Sequence, residues 1–337
     1  MVFEKINKKN MRSMVENFPN MLGVIEPEPK SLNHAEKVRR EGIDGICLLG
    51  MGGSSIAGEM IRCILVSKSS TPIISVKDYT VPMYVNENWT TIAVSYSGNT
   101  EETLSAAEDA MHRGCKTFAI TSGGKLPKMV SDDAYITLPK GFQPRAALPL
   151  ILSVELPLIE TLVGINRTDL VEVGKRLALV QKKWVSDENA PLKLAHKLEG
   201  KIPLFMASEH LAAVAYRAKC QINENAKTAS FASLIPEANH NEIESIGWFS
   251  QSNIQPIFLR SITENPRIAA RFRATSEIYT DDDCNPIHIW HQASTGFEEM
   301  MAHTFLLDML SVELAKLEGV DDVAVERITK LKNALSN

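Results

Sequence analysis

The sequence has little excess charge of either sign. Across 337 residues, 36 Lys and Arg stand against 41 Asp and Glu, a formal net charge of -5. Without a basic surplus there is no electrostatic footprint for nucleic acid or anionic lipid, so an anionic ligand has to be held by local geometry. Long apolar runs are also lacking. The longest, 146–159, is interrupted by Pro149, Ser153, Glu155 and Pro157, short of the roughly 20 apolar residues that a membrane span needs. The opening MVFEKINKKNMRSMVENFP lacks the apolar core of a secretory signal, so the chain reads as cytoplasmic. Cysteine is scarce and unpatterned. Cys47, Cys63, Cys115, Cys220 and Cys284 form no CxxC pair and are odd in number, which argues against a disulfide framework or a closed zinc site and for reduced, buried thiols. The remainder, 44% hydrophobic and 23% charged, is ordinary for a globular protein with a small-molecule partner.

The length suggests two domains at about 150 residues each. From residue 45 short apolar runs alternate with longer amphipathic ones, the pattern of parallel strands joined by crossover helices. Strands are expected at 45–50, 72–76, 91–95, 116–120 and 134–138, with helices near 55–66, 100–113 and 145–163. A second set follows, with strands at 202–208, 253–259 and 285–290 and helices near 170–184, 209–226, 265–278, 296–317 and 322–335. The expectation is an α/β chain of two doubly wound parallel-sheet subdomains, 1–164 and 165–337, divided in the segment Gly164–Thr168. No residue-level repeat is visible.

Two segments in the first half suit an anion. GMGGSSIAG (50–58) links a strand to a helix, where Gly52, Gly53 and Ser54 present free N–H groups and a helix dipole. Its adjacent glycines, its extra hydroxyls and the want of a clear acidic residue about 20 positions on fit a nicotinamide dinucleotide poorly. GGK at 123–125 runs on into Leu126 rather than Ser or Thr, so it is not a Walker loop. SYSGNTEET (95–103) is more specific. Ser95, Ser97 and Thr100 surround the start of a helix, and a neutral cradle of hydroxyls and orphan N–H groups can satisfy several oxygens of one phosphate. Helix capping is the alternative use, but it explains one hydroxyl rather than three.

SYSGNTEET resembles the signature of the sugar isomerase (SIS) domain. With GMGGSSIAG, QPRAAL (143–148), NENAK (223–227), EANHNE (237–242) and GVDDVAVERITKLKNAL (319–335), nearly the whole chain is similar to the bifunctional phosphoglucose/phosphomannose isomerases. The resemblance implies two SIS subdomains of flavodoxin-like form. It also implies interconversion of glucose 6-phosphate, and of mannose 6-phosphate, with fructose 6-phosphate through a cis-enediol, without cofactor or metal.

Such a reaction needs a base that carries a proton between neighbouring carbons, and the resemblance assigns this to Glu224. The residue lies in a polar run, Asn223–Asn225, after an apolar helical stretch, and partial burial would raise a carboxyl's pKa toward the task. His240, in the polar loop Pro236–Glu242, and Lys332, on the last helix beside the apolar positions Ile328, Leu331 and Leu335, become the ring-opening groups. Arg145 becomes the cation that stabilises the enediolate. Similar enzymes supply the histidine from the neighbouring subunit of a homodimer, which implies an active site at the subunit interface. Where that family reads GVDPT, this chain reads Gly319-Val320-Asp321-Asp322-Val323, so a hydroxyl close to the sugar is replaced by Val323 and the mannose 6-phosphate activity is the one in question.

The run Asp281–Asp283 lacks the spaced ligands of a calcium loop and reads as a solvated turn. Two other readings remain: a non-catalytic phosphosugar-binding SIS regulator, or an isomerase confined to glucose 6-phosphate. Regulators of that kind usually carry a DNA-binding domain, and the roughly 40 residues before the first strand show no helix-turn-helix pattern.

Overall fold

A computed structural model describes residues 2–335. In chain order the first elements are helices α1 (Met11–Glu16), α2 (Phe18–Met21) and α3 (Pro29–Glu41), strand β1 (Gly45–Gly50), α4 (Gly52–Leu65), β2 (Ile73–Val76) and β3 (Trp89–Val94). Next come α5 (Glu101–His112), β4 (Lys116–Thr121), β5 (Tyr135–Thr137), α6 (Leu148–Val163), α7 (Leu170–Gln181) and α8 (Ala190–Leu198). The chain closes with β6 (Ile202–Ala207), α9 (Ala212–Gln221), β7 (Phe231–Leu234), β8 (Ile254–Arg260), α10 (Pro266–Asp281), β9 (Ile287–Trp290), α11 (Gly296–Leu317) and α12 (Glu326–Leu335).

Two compact units result. The first takes in the residues up to Lys8 and Asn17–Leu179; the second takes in Lys9–Glu16 and the chain from Val180. The segment Gly164–Thr168 is an irregular break between α6 and α7, and most of α7 packs with the first unit, where a Cβ on Gly174 would lie 2.7 Å from the Pro19 carbonyl.

The first unit holds a five-stranded parallel sheet in the order β2-β1-β3-β4-β5, with Gly45 beside Trp89 and Gly50 beside Val94. β1 and β3 are buried at every position, as strands covered by helices on both faces should be, which is why they read as unbroken apolar runs. α6 is buried over almost its whole length, so its apolar residues do not keep to one face, and Ser153, Glu155 and Glu160 are buried with them. A core on one side of the sheet gathers Cys47, Leu49, Ala93, Ala106, Ala107, Ala110 and Ala119.

The second unit repeats the design with a four-stranded parallel sheet, β7-β6-β8-β9. Its core includes Met206, Phe258, Phe272 and Tyr279, and α11 is buried from Phe297 to Ala315. Both sheets are therefore doubly wound, each with a switch point where the strand order reverses, between β1 and β3 and between β6 and β8. The expected helix over 209–226 is not uniform. It opens as a 3-10 turn at Glu209–Leu211, continues as α9, and ends in a π-helical turn, Ile222–Ala226. Among the described residues, no helix is long and apolar enough to cross a membrane.

Candidate active site

In an open parallel sheet, ligands meet the loops at the carboxyl ends of the strands that flank the switch point. In the first unit these loops are 50–55 and 95–100. The second leaves β3 at Ser95, which is fully buried and whose Oγ lies 2.9 Å from Thr100 Oγ1. Gly98 N–H donates to Ser95 Oγ at 3.1 Å, and Asn99 N–H to the exposed Ser97 Oγ at 3.3 Å, so the loop curls with its hydroxyls gathered ahead of α5. Gly98 is required here: its φ is +67° and a Cβ would fall 1.7 Å from the Gly123 carbonyl oxygen.

Thr100 is the N-cap of α5, yet its side chain makes no capping bond. Its hydroxyl is committed to Ser95 and takes none of the first-turn N–H groups of the helix. Capping therefore does not account for the hydroxyls.

The loop after β1 runs straight into α4, which likewise has no side-chain cap. Ser54 Oγ accepts from Tyr96 N–H at 3.1 Å and so ties the two switch-point loops together. Gly53 brings in a third segment. A Cβ there would lie 2.9 Å from Arg145 Cα and 2.9 Å from the Pro144 carbonyl, so the backbone of the turn carrying Arg145 rests on the start of α4. Arg145 itself is 3% exposed. Tyr96 holds the approach to that turn, its hydroxyl donating to Pro139 O and accepting from Phe142 N–H, and its burial pushes the phenol pKa up. Gly52, Gly53, Ser54, Ser95, Ser97, Thr100 and Arg145 thus converge on one end of one sheet.

The remaining expected residues belong to the second unit. Glu224 sits half-buried in the π-turn after α9, a form of helix concentrated at functional sites. The turn is anchored on its inner side. Asn225 Nδ2 donates to Ser311 Oγ at 2.8 Å, Ser311 Oγ donates to the Asp308 carbonyl, and Asp308 takes a bidentate pair of bonds from Arg217 on α9 at 3.0 and 2.6 Å. All four side chains are buried. On the outer side, Lys227 Nζ donates to the carbonyls of Glu224 and Ala324, which joins the turn to the segment that carries Val323.

Lys332 is exposed on α12, a helix with no buried residues, and Ile328, Leu331 and Leu335 leave their apolar stripe uncovered. His240 closes a short 3-10 turn, Glu237–His240, is exposed, and makes no hydrogen bond or ion pair among the described residues. No cluster of three or more His, Cys, Asp or Glu side chains able to hold a metal ion occurs among the described residues. A group that sequence reasoning missed lies at the switch point of the second unit, where His210, Ser261 and Glu299 meet.

Comparison with known proteins bears on this arrangement. Residues 187–335 match the family model of the bacterial phospho-glucose isomerase C-terminal SIS domain. The chain is 36% identical over 318 residues to a bifunctional phosphoglucose/phosphomannose isomerase of Caldicellulosiruptor bescii, covering 90% of this chain and 93% of that protein. A D-glucosamine-6-phosphate 4-epimerase of Sulfolobus acidocaldarius is 35% identical over 221 residues, covering 64% of this chain and 68% of that protein. Among solved structures, a hypothetical protein of Thermus thermophilus superposes with a TM-score of 0.75 at 15% identity over 99% of this chain and 92% of that one, a likeness of fold alone. With a switch-point hydroxyl cradle in the first unit, the SIS family match in the second, and identity at this level along nine-tenths of its length, the chain belongs to the bifunctional phosphoglucose/phosphomannose isomerases.

Proposed function

We propose that the protein interconverts glucose 6-phosphate and mannose 6-phosphate with fructose 6-phosphate by proton transfer through a cis-enediol. The observation that carries the reading is the pairing of Ser95 with Thr100 at a helix start that no side chain caps, because such a cradle has donors to spare for a phosphate and none of them is spent on the helix. Ser95, Ser97, Thr100 and the N-terminal turn Gly52-Gly53-Ser54 hold the phosphate. Arg145, a buried guanidinium whose backbone is fixed against Gly53, stabilises the enediolate oxygens as charge develops.

Glu224 takes the proton from one sugar carbon and returns it to the neighbour. Its π-turn, bolted down through Asn225 and Ser311, supports a carboxylate held in one place. His240 and Lys332 open the hemiacetal by exchanging a proton with the ring and hydroxyl oxygens. An exposed histidine whose side chain makes no hydrogen bond among the described residues, on a unit that also exposes Phe231, Leu234, Trp248 and the stripe of α12, suits a homodimer in which His240 acts in the partner's site. The location in this reading is the cytoplasm.

The test is direct. Purified protein is mixed with fructose 6-phosphate, with no added metal or nucleotide, and followed by NMR. Both aldose phosphates are expected; no aldose would leave the regulator reading, and glucose 6-phosphate alone would confine the enzyme to one epimer. The epimerase relative justifies a parallel run with glucosamine 6-phosphate, in which conversion at carbon 4 would favour that second activity.

A further inference from the structure

The two sheets can be laid on each other from their first ladder pairs, Gly45–Trp89 in the first unit and Ile202–Ile254 in the second. This brings Gly52 (φ +53°) onto Glu209 (φ +52°), both left-handed, and places the helix N-caps Thr100 and Asn265 at the same position. Within the loop after the central strand Gly98 is left-handed and Thr263, at its position, is not, whereas the backbone at the start of the other loop and at the two helix N-caps is repeated. The side chains are not. Arg260, Ile262 and Asn265 stand where the first unit has Ser95, Ser97 and Thr100, and His210 stands where it has Gly53. The guanidinium of Arg260 is committed to Glu264, with both bonds at 2.7 Å, so it offers no free charge.

Something else fills the corresponding place in the second unit. Glu299, from the first turn of α11, is 1% exposed and accepts from both loops at once. Its Oε2 lies 2.7 Å from His210 Nε2 and takes the Ser261 hydroxyl at 2.6 Å, and its Oε1 takes the Ile262 N–H at 3.2 Å. Burial works against the charged carboxylate, but these three bonds outweigh it and hold the group below the usual carboxyl range.

We propose that the Glu299 carboxylate is a built-in anion: it occupies, at the switch point of the second unit, the place that the first unit leaves open to a sugar's phosphate. Each chain then offers one phosphate cradle rather than two, and removing the Glu299 side chain leaves a site for a small free carboxylate. An uncompensated cavity lined by His210, Ser261 and an N–H is costly, and a diffusible anion of the right size restores what was lost. The comparison with phosphate rests on the function proposed above; the prediction about a free carboxylate does not.

The experiment uses the full-length Glu299→Ala variant without sugar, and reads thermal melting and the yield of refolding from urea. Melting is expected to fall by roughly 5–10 °C. Acetate or formate should recover at least half of that loss with a saturating dose dependence, while chloride at equal ionic strength should not, and the wild type should respond to neither. If the variant does not fold unaided, refolding yield that rises with acetate and not with chloride carries the same meaning. The Glu299→Gln variant, whose amide still fills the place, should show no acetate response. Equal responses to acetate and chloride, or an acetate response in Glu299→Gln matching that in Glu299→Ala, would overturn the proposal. Should the acetate response appear in a protein that converts no fructose 6-phosphate, the isomerase reading fails while the built-in anion stands.

Discussion

Ser95 Oγ and Thr100 Oγ1 lie 2.9 Å apart across the turn between β3 and α5, one buried at the strand end and the other at the helix start. Under the proposed function these two hydroxyls, in mutual contact, bind the phosphate as a unit. Ser95→Ala and Thr100→Ala are each expected to raise the KM for fructose 6-phosphate by roughly 10-fold or more, as the loss of one hydrogen bond to a charged group implies. The double variant should lose less than the product of the single effects. Additive losses, or losses confined to kcat, would speak against a shared phosphate contact.

Gly53 is expected to tolerate no side chain. A methyl group there meets backbone atoms of Pro144 and Arg145 at 2.9 Å, which cannot rotate away. Gly53→Ala should shift the Arg145 turn and lower kcat/KM by about 100-fold, the scale associated with a misplacement of ~1 Å near the chemistry. Steady-state kinetics alongside a circular dichroism melt would separate this from unfolding.

The inner anchor of Glu224 offers a second test of position. Ser311→Ala removes the hydroxyl that accepts from Asn225 Nδ2 and breaks one buried hydrogen bond, at a cost of about 1–3 kcal/mol. If the anchor holds the base in place, kcat falls several-fold with KM unchanged, and Ser311→Thr, which restores the hydroxyl, recovers it. A melting shift with unaltered kcat would make the anchor structural only.

Glu155 supplies a pH dependence. It is fully buried in α6, its carboxyl has no hydrogen-bond partner among the described residues, and a Cβ on Gly58 would lie 3.2 Å from its Oε1. Burial pushes its pKa up to about 8. A group kept protonated by the fold but ionised in the unfolded chain gives stability that is complete below the unfolded value, about 4.3, and lost as pH rises through the folded one. Glu155→Leu should therefore gain on the wild type by up to ~1.4 kcal/mol per pH unit across that window. Urea melts at pH 5, 6, 7 and 8 measure it, and a gap that stays constant would refute the assignment.

Much of this fold is legible in the sequence because parallel strands buried on both faces read as plain apolar runs, GICLLG and TIAV among them. β7 escapes notice because FASL is short and only Ser233 in it is buried. α3 escapes for another reason: its inward face is made of Ser31, Ala35 and Val38, too small and too polar to mark a helical stripe. In the first unit the surplus of hydroxyls marks the loop in which Ser95 and Thr100 pair, whereas the placing of Arg145 against Gly53 is a tertiary contact with no local signature. The same holds for His210, Ser261 and Glu299, which come from three elements far apart in the chain and meet only through the strand register.

Val323 bears on specificity. It precedes Ala324, whose backbone carbonyl shares Lys227 Nζ with the carbonyl of Glu224. Val323→Thr is expected to raise the ratio of mannose 6-phosphate to glucose 6-phosphate formed from fructose 6-phosphate, by roughly 3- to 10-fold if the added hydroxyl meets the sugar. An unchanged ratio would remove this position from epimer choice.

The most direct test concerns the proton that Glu224 is proposed to carry. Fructose 6-phosphate incubated in deuterium oxide should acquire deuterium at carbon 1 with the wild-type protein, while Glu224→Gln still binds the sugar phosphate by calorimetry but exchanges no hydrogen and forms no aldose. Exchange in Glu224→Gln at the wild-type rate would contradict the account.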